Sequence, residues 1–295
     1  MKTRFDFTHY SILALMTLTL VSLLLLLPRT ANGHPRFFRV MLDPGHGGSD
    51  EGTVFHRGGI RIAEKTVTLQ LVMEISKQLR TRGYFVYLTR RGDHEVSLPA
   101  RTAMANRWGA DAFISVHTNS TRNPASRDAE GVETFILNNA TDASSKRLAR
   151  LENSVLSQEP VDSSEQKDVA LILKDLRLDA NVSASKSLAC SVQNHVVAAT
   201  SAGIPPSFKR DRGVKQALFH VLLGADMPSI LIEAGFLTNA RDRSMLLNPK
   251  GRKVIARAVA DALDRYRLDR DAGEKNHLQH AEFRSPTLSS RCKVN

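Results

Sequence analysis

Four side chains at widely separated positions have the types that bind a metal ion or move a proton: His46, Glu64, His117 and Glu233. Catalytic zinc sites use three imidazole or carboxylate ligands and keep a fourth position for water. His46, Glu64 and His117 form such a ligand set. Glu233 then remains as a carboxylate that can take a proton from the activated water. The residue types therefore predict a zinc centre with a general base beside it.

Each of these residues also has an ordinary structural interpretation. A single histidine at a strand end is more often hydrogen bonded or exposed than bound to a metal, and a glutamate that opens a helix is favoured by the helix dipole. Glu233 is the least ordinary of the four, because it lies inside the apolar run ILIEAGF. Burying an unpaired carboxylate there is costly, which favours a functional role.

The loop GHGGSDEG around His46 is unusually rich in glycine. Glycines let a backbone fold closely round a metal and leave one side open to a bulky substrate. The loop lacks the Lys-Ser/Thr ending of a phosphate P-loop, and its spacing differs from the dinucleotide motif G-x-G-x-x-G. The chain also has no G-x-S-x-G motif. His220, in ALFHVL, is interpreted as a semi-buried histidine, and His56, His94, His195, His277 and His280 as surface residues.

The elements that must position these residues alternate between strand and helix. The segments FRVMLD, YFVYLTR, ADAFISVH, GVETFILN and MPSILIEAGF predict strands. Residues 64–83, 99–108, 185–200 and 253–266 predict helices, from the spacing of their apolar positions. This alternation favours an α/β sheet with helices on both faces, in which reactive groups gather where strands end.

Two stretches depart from this pattern. Residues 141–184 are charged and rich in serine, and we interpret them as a partly helical insertion at the edge of the domain. After residue 268 the chain becomes polar, and we expect a disordered tail over 269–295. The catalytic domain is therefore predicted to span 36–268.

The N-terminal segment predicts export. Lys2 and Arg4 precede an uncharged stretch at 11–27, and small and polar residues follow it. Its 17 residues fit either a cleaved signal within 1–33 or an uncleaved anchor. Both alternatives place the rest of the chain outside the cytoplasm, in the periplasm or cell envelope, with membrane contact only through this segment.

Charge and cysteine content narrow the class of protein further. The 295 residues carry a net charge of +11 and are 42% hydrophobic, which suits one large domain facing a polyanionic neighbour. Because export is predicted, we expect the partner of the basic surface to be anionic lipid or cell-wall polymer and not nucleic acid. Cys190 and Cys292 have no metal-binding spacing, and we do not expect them to form a disulfide because Cys292 lies close to the C-terminus.

Five segments together resemble the zinc-dependent N-acetylmuramoyl-L-alanine amidases of bacterial cell-wall metabolism. They are LDPGHGGSDEGT, EKTVTLQL, LTRRGDHEVSLPART, AMANRWGADAFISVHTNS and MPSILIEAGFLTN, and the similarity covers 40–138 and 209–266. The resemblance implies a single α/β domain with a mostly parallel (mixed) six-stranded sheet. It also implies that His46, Glu64 and His117 bind one zinc ion, that Glu233 is catalytic, and that peptidoglycan is the substrate.

Members of this family that separate daughter cells often carry a helix that blocks the zinc site until an activator protein removes it. The insertion at 141–184 lies in the corresponding place. We therefore hypothesise that Glu152 or a nearby acid occupies the fourth zinc position in a resting state. A surface helix without a regulatory role is the alternative.

Two other functions fit the same residues. A zinc peptidase or deacetylase could use the same ligand set, although the order of motifs disfavours it. A catalytically inactive wall-binding protein is a third hypothesis, which the presence of all four site residues disfavours.

Overall fold

A computed structural model describes residues 38–121, 129–140, 142–154, 177–201, 211–279, 292 and 294. The predicted export segment at 1–33 lies outside the described residues. Within the described parts, no helix has the length and apolarity needed to cross a membrane.

A six-stranded sheet forms the centre of the fold, in the order β4-β1-β5-β8-β6-β7. Its strands are β1 (Arg39–Pro44), β4 (Phe85–Leu88), β5 (Ala112–Asn119), β6 (Val132–Leu137), β7 (Asp211–Ala217) and β8 (Ser229–Phe236). Strands β1, β4, β5 and β8 are mutually parallel, whereas β6 runs antiparallel to β8 and parallel to β7. The predicted mixed, mostly parallel α/β sheet is confirmed.

Helices cover both faces of this sheet. One face packs against α1 (Glu64–Thr81), α4 (Arg177–Ser201) and α6 (Pro249–Gln279), and the interface is a continuous apolar core. The other face carries α2 (Leu98–Trp108), α3 (Ala143–Glu152) and a 3₁₀ turn at His220–Leu222 over a smaller cluster. All six residues of β6, and all eight of β5 and of β8, are buried, as expected for strands covered on two sides.

Three elements were absent from the sequence-based expectations. A hairpin of β2 (Val54–Arg57) and β3 (Ile60–Ala63) leads directly into α1. Strand β7 forms an edge of the sheet, and a short helix α5 (Ala240–Leu247) follows β8. The hairpin strands have only four residues each, too few for a clear periodic pattern, so the sequence did not reveal them.

The predicted insertion is helical where the structure describes it. Helix α3 begins after Asp142, whose side chain accepts hydrogen bonds from the backbone of Ser144 and Ser145 as an N-cap. Leu148 and Ala149 anchor the helix in the smaller core cluster. Residues 155–176 lie outside the described parts, and α4 begins at Arg177, inside the range assigned to the insertion. The bounds of the insertion remain a prediction.

The expectation of disorder from residue 269 onward is wrong for the first part of that tail. Helix α6 continues to Gln279, supported by i,i+4 ion pairs such as Arg265 with Asp269. A polar composition was mistaken for lack of structure, because the apolar face that anchors this helix ends earlier in the sequence.

The cysteine expectation is also wrong. Cys190 and Cys292 form a disulfide with a Cα–Cα distance of 5.7 Å. Val294 pairs with Val214 as an isolated parallel bridge, so the chain end returns to the edge strand β7. Proximity to the C-terminus did not prevent the bridge, because folding brings the end of the chain back against α4.

Candidate metal centre

The first candidate ligand, His46, lies in the glycine-rich loop directly after β1. It is the only non-glycine residue with positive φ (64°) among the described residues, so the loop holds it in a conformation that L-residues rarely adopt. Its Nδ1 lies 2.8 Å from Oδ2 of Asp50. This contact fixes the ring, and the opposite nitrogen, Nε2, faces the carboxylates of Glu64 and Glu152.

The surrounding glycines allow the ligands to approach one another. A Cβ atom at Gly45 would lie 2.5 Å from the ring of His117. One at Gly52, where φ is +65°, would lie 2.5 Å from the His46 ring and 2.7 Å from a Glu64 oxygen. Any larger residue at either position would therefore collide with the candidate ligand side chains. This explains why both positions are glycine.

Glu64 opens α1 and is almost fully buried beside both histidines. Its Oε1 lies 3.2 Å from Nε2 of His46 and 3.4 Å from Nδ1 of His117. The carboxylate also accepts backbone hydrogen bonds from Thr118 and Thr53, at 2.8 and 2.9 Å. Its orientation is therefore fixed by the backbone of two other segments.

Glu152, the last residue of α3, enters the same cleft from the insertion. Its Oε2 lies 3.3 Å from Nε2 of His46 and 3.0 Å from Nδ1 of His117. His46, His117 and Glu152 together form the one group among the described residues whose ligand atoms lie close enough to one another to hold a metal. Glu64 is not a member of that group, but its Oε1 approaches the same two nitrogens.

The donor set fits a divalent metal. Nε2 of His46, Nδ1 of His117 and Oε2 of Glu152 are buried, and none makes a hydrogen bond of acceptable geometry. Leaving buried polar atoms unsatisfied is costly, and a shared cation would satisfy all three. Two imidazole nitrogens with carboxylate oxygens are the ligand types that zinc prefers.

The electrostatics of these groups support the same conclusion. Burial lowers the pKa of His117, but the negative charge of Glu152 and the close contacts of its ring nitrogen with the carboxylates of Glu152 and Glu64 outweigh burial and raise the pKa to about 10. The pKa of His46 is likewise raised well above its usual value, chiefly by Glu64 and Glu152 against the effect of burial. The carboxylates therefore attract positive charge to this point, whether as protons or as a metal ion.

Glu233 lies next to this cluster, in the middle of the sheet. It is directly opposite His117 in the β5–β8 register and has no exposed surface. Neither carboxylate oxygen has a hydrogen-bond partner. Burial and the charge of Glu152 raise its pKa well above the usual value. A buried carboxyl group of this kind is suited to accept and release protons.

Two buried arginines hold the loop that carries His46, and sequence reasoning did not single them out. Arg90 donates to the carbonyl oxygens of Pro44, Gly45 and Lys65, at 3.0, 2.8 and 2.8 Å. Arg101 donates to the carbonyl oxygen of His46 at 3.1 Å. These contacts tie the backbone of the loop to two buried guanidinium groups.

Asp43 anchors this arrangement at the end of β1. It is fully buried, forms an ion pair with Arg101 at 2.7 Å, and accepts hydrogen bonds from Thr89 and Ser115. Burial raises the pKa of Asp43, but Arg101 and the two hydroxyl groups outweigh it and keep the pKa below the usual value.

A family model described as N-acetylmuramoyl-L-alanine amidase matches residues 40–265, most of the chain. The chain belongs to this family. Among relatives, AmiC of Neisseria meningitidis is 33% identical over 229 residues, which cover 77% of this chain and 52% of that protein. AmiA of Escherichia coli is 31% identical over 249 residues, which cover 81% of this chain and 82% of that protein. The chain thus spans about half the length of the Neisseria relative.

Solved structures agree with the family assignment. An N-acetylmuramoyl-L-alanine amidase from Clostridium difficile 630 aligns with a TM-score of 0.57 and 28% identity, covering 79% of this chain and 97% of that one. The resemblance to the amidases that the five motifs carried is confirmed.

The remaining histidines do not join the cluster. His220 is half-buried, burial lowers its pKa, and its backbone N–H donates to Asn153 at 3.0 Å. His56, His94 and His195 are not members of the group described above. His280 lies outside the described residues, and the side chain of His277 is not described.

Proposed function

We propose that this chain is a zinc-dependent amidase that hydrolyses the bond between the lactyl group of N-acetylmuramic acid and L-alanine in peptidoglycan. The observation that carries the proposal is the convergence of His46, Glu64 and His117, with buried nitrogens lacking hydrogen bonds, beside the buried carboxyl group of Glu233. Membership of the amidase family supports the choice of bond and substrate.

In this proposal His46, Glu64 and His117 hold one zinc ion. When bound, zinc supplies a Lewis acid that polarises the scissile carbonyl and lowers the pKa of water. Asp50 orients the imidazole of His46, and the backbone N–H groups of Thr53 and Thr118 orient the carboxylate of Glu64. Such outer contacts fix ligand geometry before the metal arrives.

Glu233 acts as the general base. Its carboxylate accepts a proton from the attacking water and passes it to the leaving amine nitrogen of L-alanine. Its position opposite His117 puts it beside the ligand cluster, and complete burial excludes bulk water as a competing proton acceptor. The pKa of Glu233 is raised above its usual value, which suits this carboxylate both to accept the proton from water and to release it to the amine.

We further propose that the described arrangement is a resting state. Glu152 occupies the position that water would take, with its oxygen 3.0 and 3.3 Å from the two histidine nitrogens. The next residue secures the helix: Asn153 donates to the carbonyl oxygen of Leu218 at 2.8 Å and accepts from the N–H of His220. Access for substrate then requires α3 to move, and an activator protein is the expected cause.

The site of action follows from the substrate. Peptidoglycan lies outside the cytoplasmic membrane, so we propose an exported enzyme of the periplasm or cell envelope that acts in wall remodelling or daughter-cell separation. The N-terminal segment would provide export or anchoring.

Metal analysis tests the zinc proposal. The purified chain is expected to contain one zinc per molecule and to lose wall hydrolysis on chelation, with recovery on added zinc. A His46→Ala variant should bind zinc far more weakly, whereas His56→Ala, outside the cluster, should retain the metal. Full zinc content in the His46 variant would contradict the ligand set.

A further inference from the structure

The edge strand β4 carries exposed aromatic side chains next to α2. Phe85 and Tyr87 are two residues apart, project from the same face of the strand and are 50% and 41% exposed. The ring of Tyr87 lies 5.6 Å from that of Trp108, the last residue of α2, which is partly exposed. Scattered exposed apolar residues are normal, but a group of aromatic rings at a sheet edge indicates a surface that another molecule covers.

Arginine side chains surround these rings. The guanidinium group of Arg91 lies 5.2 Å from the centre of the Tyr87 ring. Nη1 of Arg39 donates to the backbone carbonyl oxygen of Trp108 at 3.0 Å, and Arg107 is exposed directly before it. Within the described parts of the chain, none of these three arginines forms an ion pair with an acidic side chain. We define the aromatic-basic patch as Arg39, Phe85, Tyr87, Arg91, Arg107 and Trp108.

Acidic residues are missing from the segments that form most of this patch. Residues 84–92 and 98–110 contain neither aspartate nor glutamate. Asp111 borders the patch, but its side chain is 8% exposed, accepts from the backbone N–H of Arg39 and lies 3.8 Å from Arg270. Cations without neighbouring acids attract an anionic lipid surface, and tryptophan and tyrosine rings favour the boundary between lipid headgroups and acyl chains.

The predicted export segment joins the domain next to this patch. Phe38 is the first described residue, and its carbonyl oxygen accepts a hydrogen bond from the N–H of Phe85 at 3.1 Å. The apolar stretch at 11–27 ends eleven residues before Phe38, so an extended connection spans at most about 40 Å. An uncleaved segment would therefore keep the patch within reach of the membrane surface.

The candidate metal centre follows the other end of the strand that begins at this patch. Arg39 is the first residue of β1, Pro44 is the last, and His46 comes directly after it in the loop. The six residues of the strand span about 20 Å. Membrane contact at Arg39 and Trp108 therefore leaves the cleft free to receive a substrate.

We propose that the aromatic-basic patch docks on the anionic lipid surface of the membrane that the predicted export segment enters. Tyr87 and Trp108 insert among the lipid headgroups, and Arg39, Arg91 and Arg107 contact lipid phosphates. The proposal rests on the predicted export and does not depend on which bond the enzyme cleaves. The competing occupants are the glycan of the wall and a second copy of the chain.

Trp108 is the only tryptophan in the chain, so its fluorescence reports on the patch alone. The full chain is combined with vesicles of phosphatidylcholine brominated on its acyl chains, with or without phosphatidylglycerol. We expect bromine to quench Trp108 only where phosphatidylglycerol is present. Arg91→Gln/Arg107→Gln should lower the ratio of quenched to unquenched Trp108 by about 25-fold, at about fivefold for each charge. Arg91→Lys/Arg107→Lys keeps both charges and should retain the quenching, which excludes a structural cause.

Lys250→Gln/Lys253→Gln is the matched control. It removes two exposed cations from α6, on the opposite face of the sheet from α2, and should leave the quenching unchanged. Equal quenching in both kinds of vesicle, or an equal loss in the control, would overturn the proposal. A response of Trp108 to purified sacculi or to protein concentration, without a response to vesicles, would also overturn it, because the wall or a second copy would then be the occupant.

Discussion

Oε2 of Glu152 lies 3.0 Å from Nδ1 of His117, although the two residues come from different elements, the end of α3 and the strand β5. A carboxylate that approaches a candidate metal ligand this closely competes with water for the same position. The contact makes α3 part of the candidate active site in the described conformation.

Removing the Glu152 carboxylate should activate the enzyme. Glu152→Gln keeps the shape of the side chain but binds a metal more weakly than a carboxylate does. We expect basal hydrolysis of purified sacculi to rise by at least about tenfold, which corresponds to 1.4 kcal/mol. Dye release from labelled sacculi measures this rate. Arg150→Gln, an exposed change on the same helix, is the matched control, and equal basal rates in all three proteins would reject a resting state.

The buried ion pair under the histidine loop should be important for stability. Arg101→Met leaves Asp43 buried without its cation, which is expected to cost about 3–5 kcal/mol of unfolding free energy. Urea denaturation measures the change. Arg265→Met removes an exposed ion pair on α6 and should cost less than about 0.5 kcal/mol. A similar small effect for Arg101→Met would show that the pair is not a determinant of the fold.

Asp242 should make stability depend on pH. Burial raises its pKa to about 6, although the backbone N–H groups of Phe236 and Gly131 donate to Oδ2; Oδ1 has no hydrogen-bond partner. Because the folded pKa exceeds the unfolded value of 3.8, the protonated form favours folding. This contribution is complete below pH 3.8 and is lost as pH rises through about 6.

Asp242→Asn tests this linkage. The shift corresponds to up to about 3 kcal/mol, since one pKa unit is about 1.4 kcal/mol. Thermal melts of the variant should match the wild type near pH 4 and exceed it at pH 7.5. A variant that is less stable than the wild type at pH 7.5 would contradict the assigned pKa.

The disulfide between Cys190 and Cys292 should stabilise the domain by constraining the unfolded chain. It closes a loop over a sequence separation of 102 residues, and removal of such a bridge costs about 2–4 kcal/mol. We expect Cys292→Ser to lower the free energy of unfolding by this amount and therefore to lower the midpoint of denaturation. Reducing agent should lower the midpoint of the wild type equally and leave the variant unchanged, and an effect on the variant would point to another cause.

Much of the fold was predictable because buried strands and amphipathic helices have strong periodic patterns. The mixed six-stranded sheet was expected only through the family resemblance. The order of its strands and the reversal of β6 and β7 depend on contacts between distant segments and were not predicted. The tail and the disulfide were predicted wrongly for the same reason. Local polarity at 269–279 and position near the terminus say little about where the chain packs.

The candidate site likewise contains some residues that the sequence revealed and others that it did not. His117 and Glu233 were identifiable because each ends or interrupts an apolar run, and His46 because it lies in a glycine-rich loop directly after a buried strand. Arg90 and Arg101 gave no signal, because an arginine in a polar stretch resembles a surface charge until the fold buries it.

Mass spectrometry of the fragments released from purified wall by the zinc-loaded chain tests the central claim most directly. The proposed function predicts muramic acid with a free lactyl carboxyl group and peptides with a new L-alanine amino terminus. Glu233→Gln should release neither product. A new amine within the stem peptide or on the sugar would instead identify a peptidase or a deacetylase and contradict the amidase assignment.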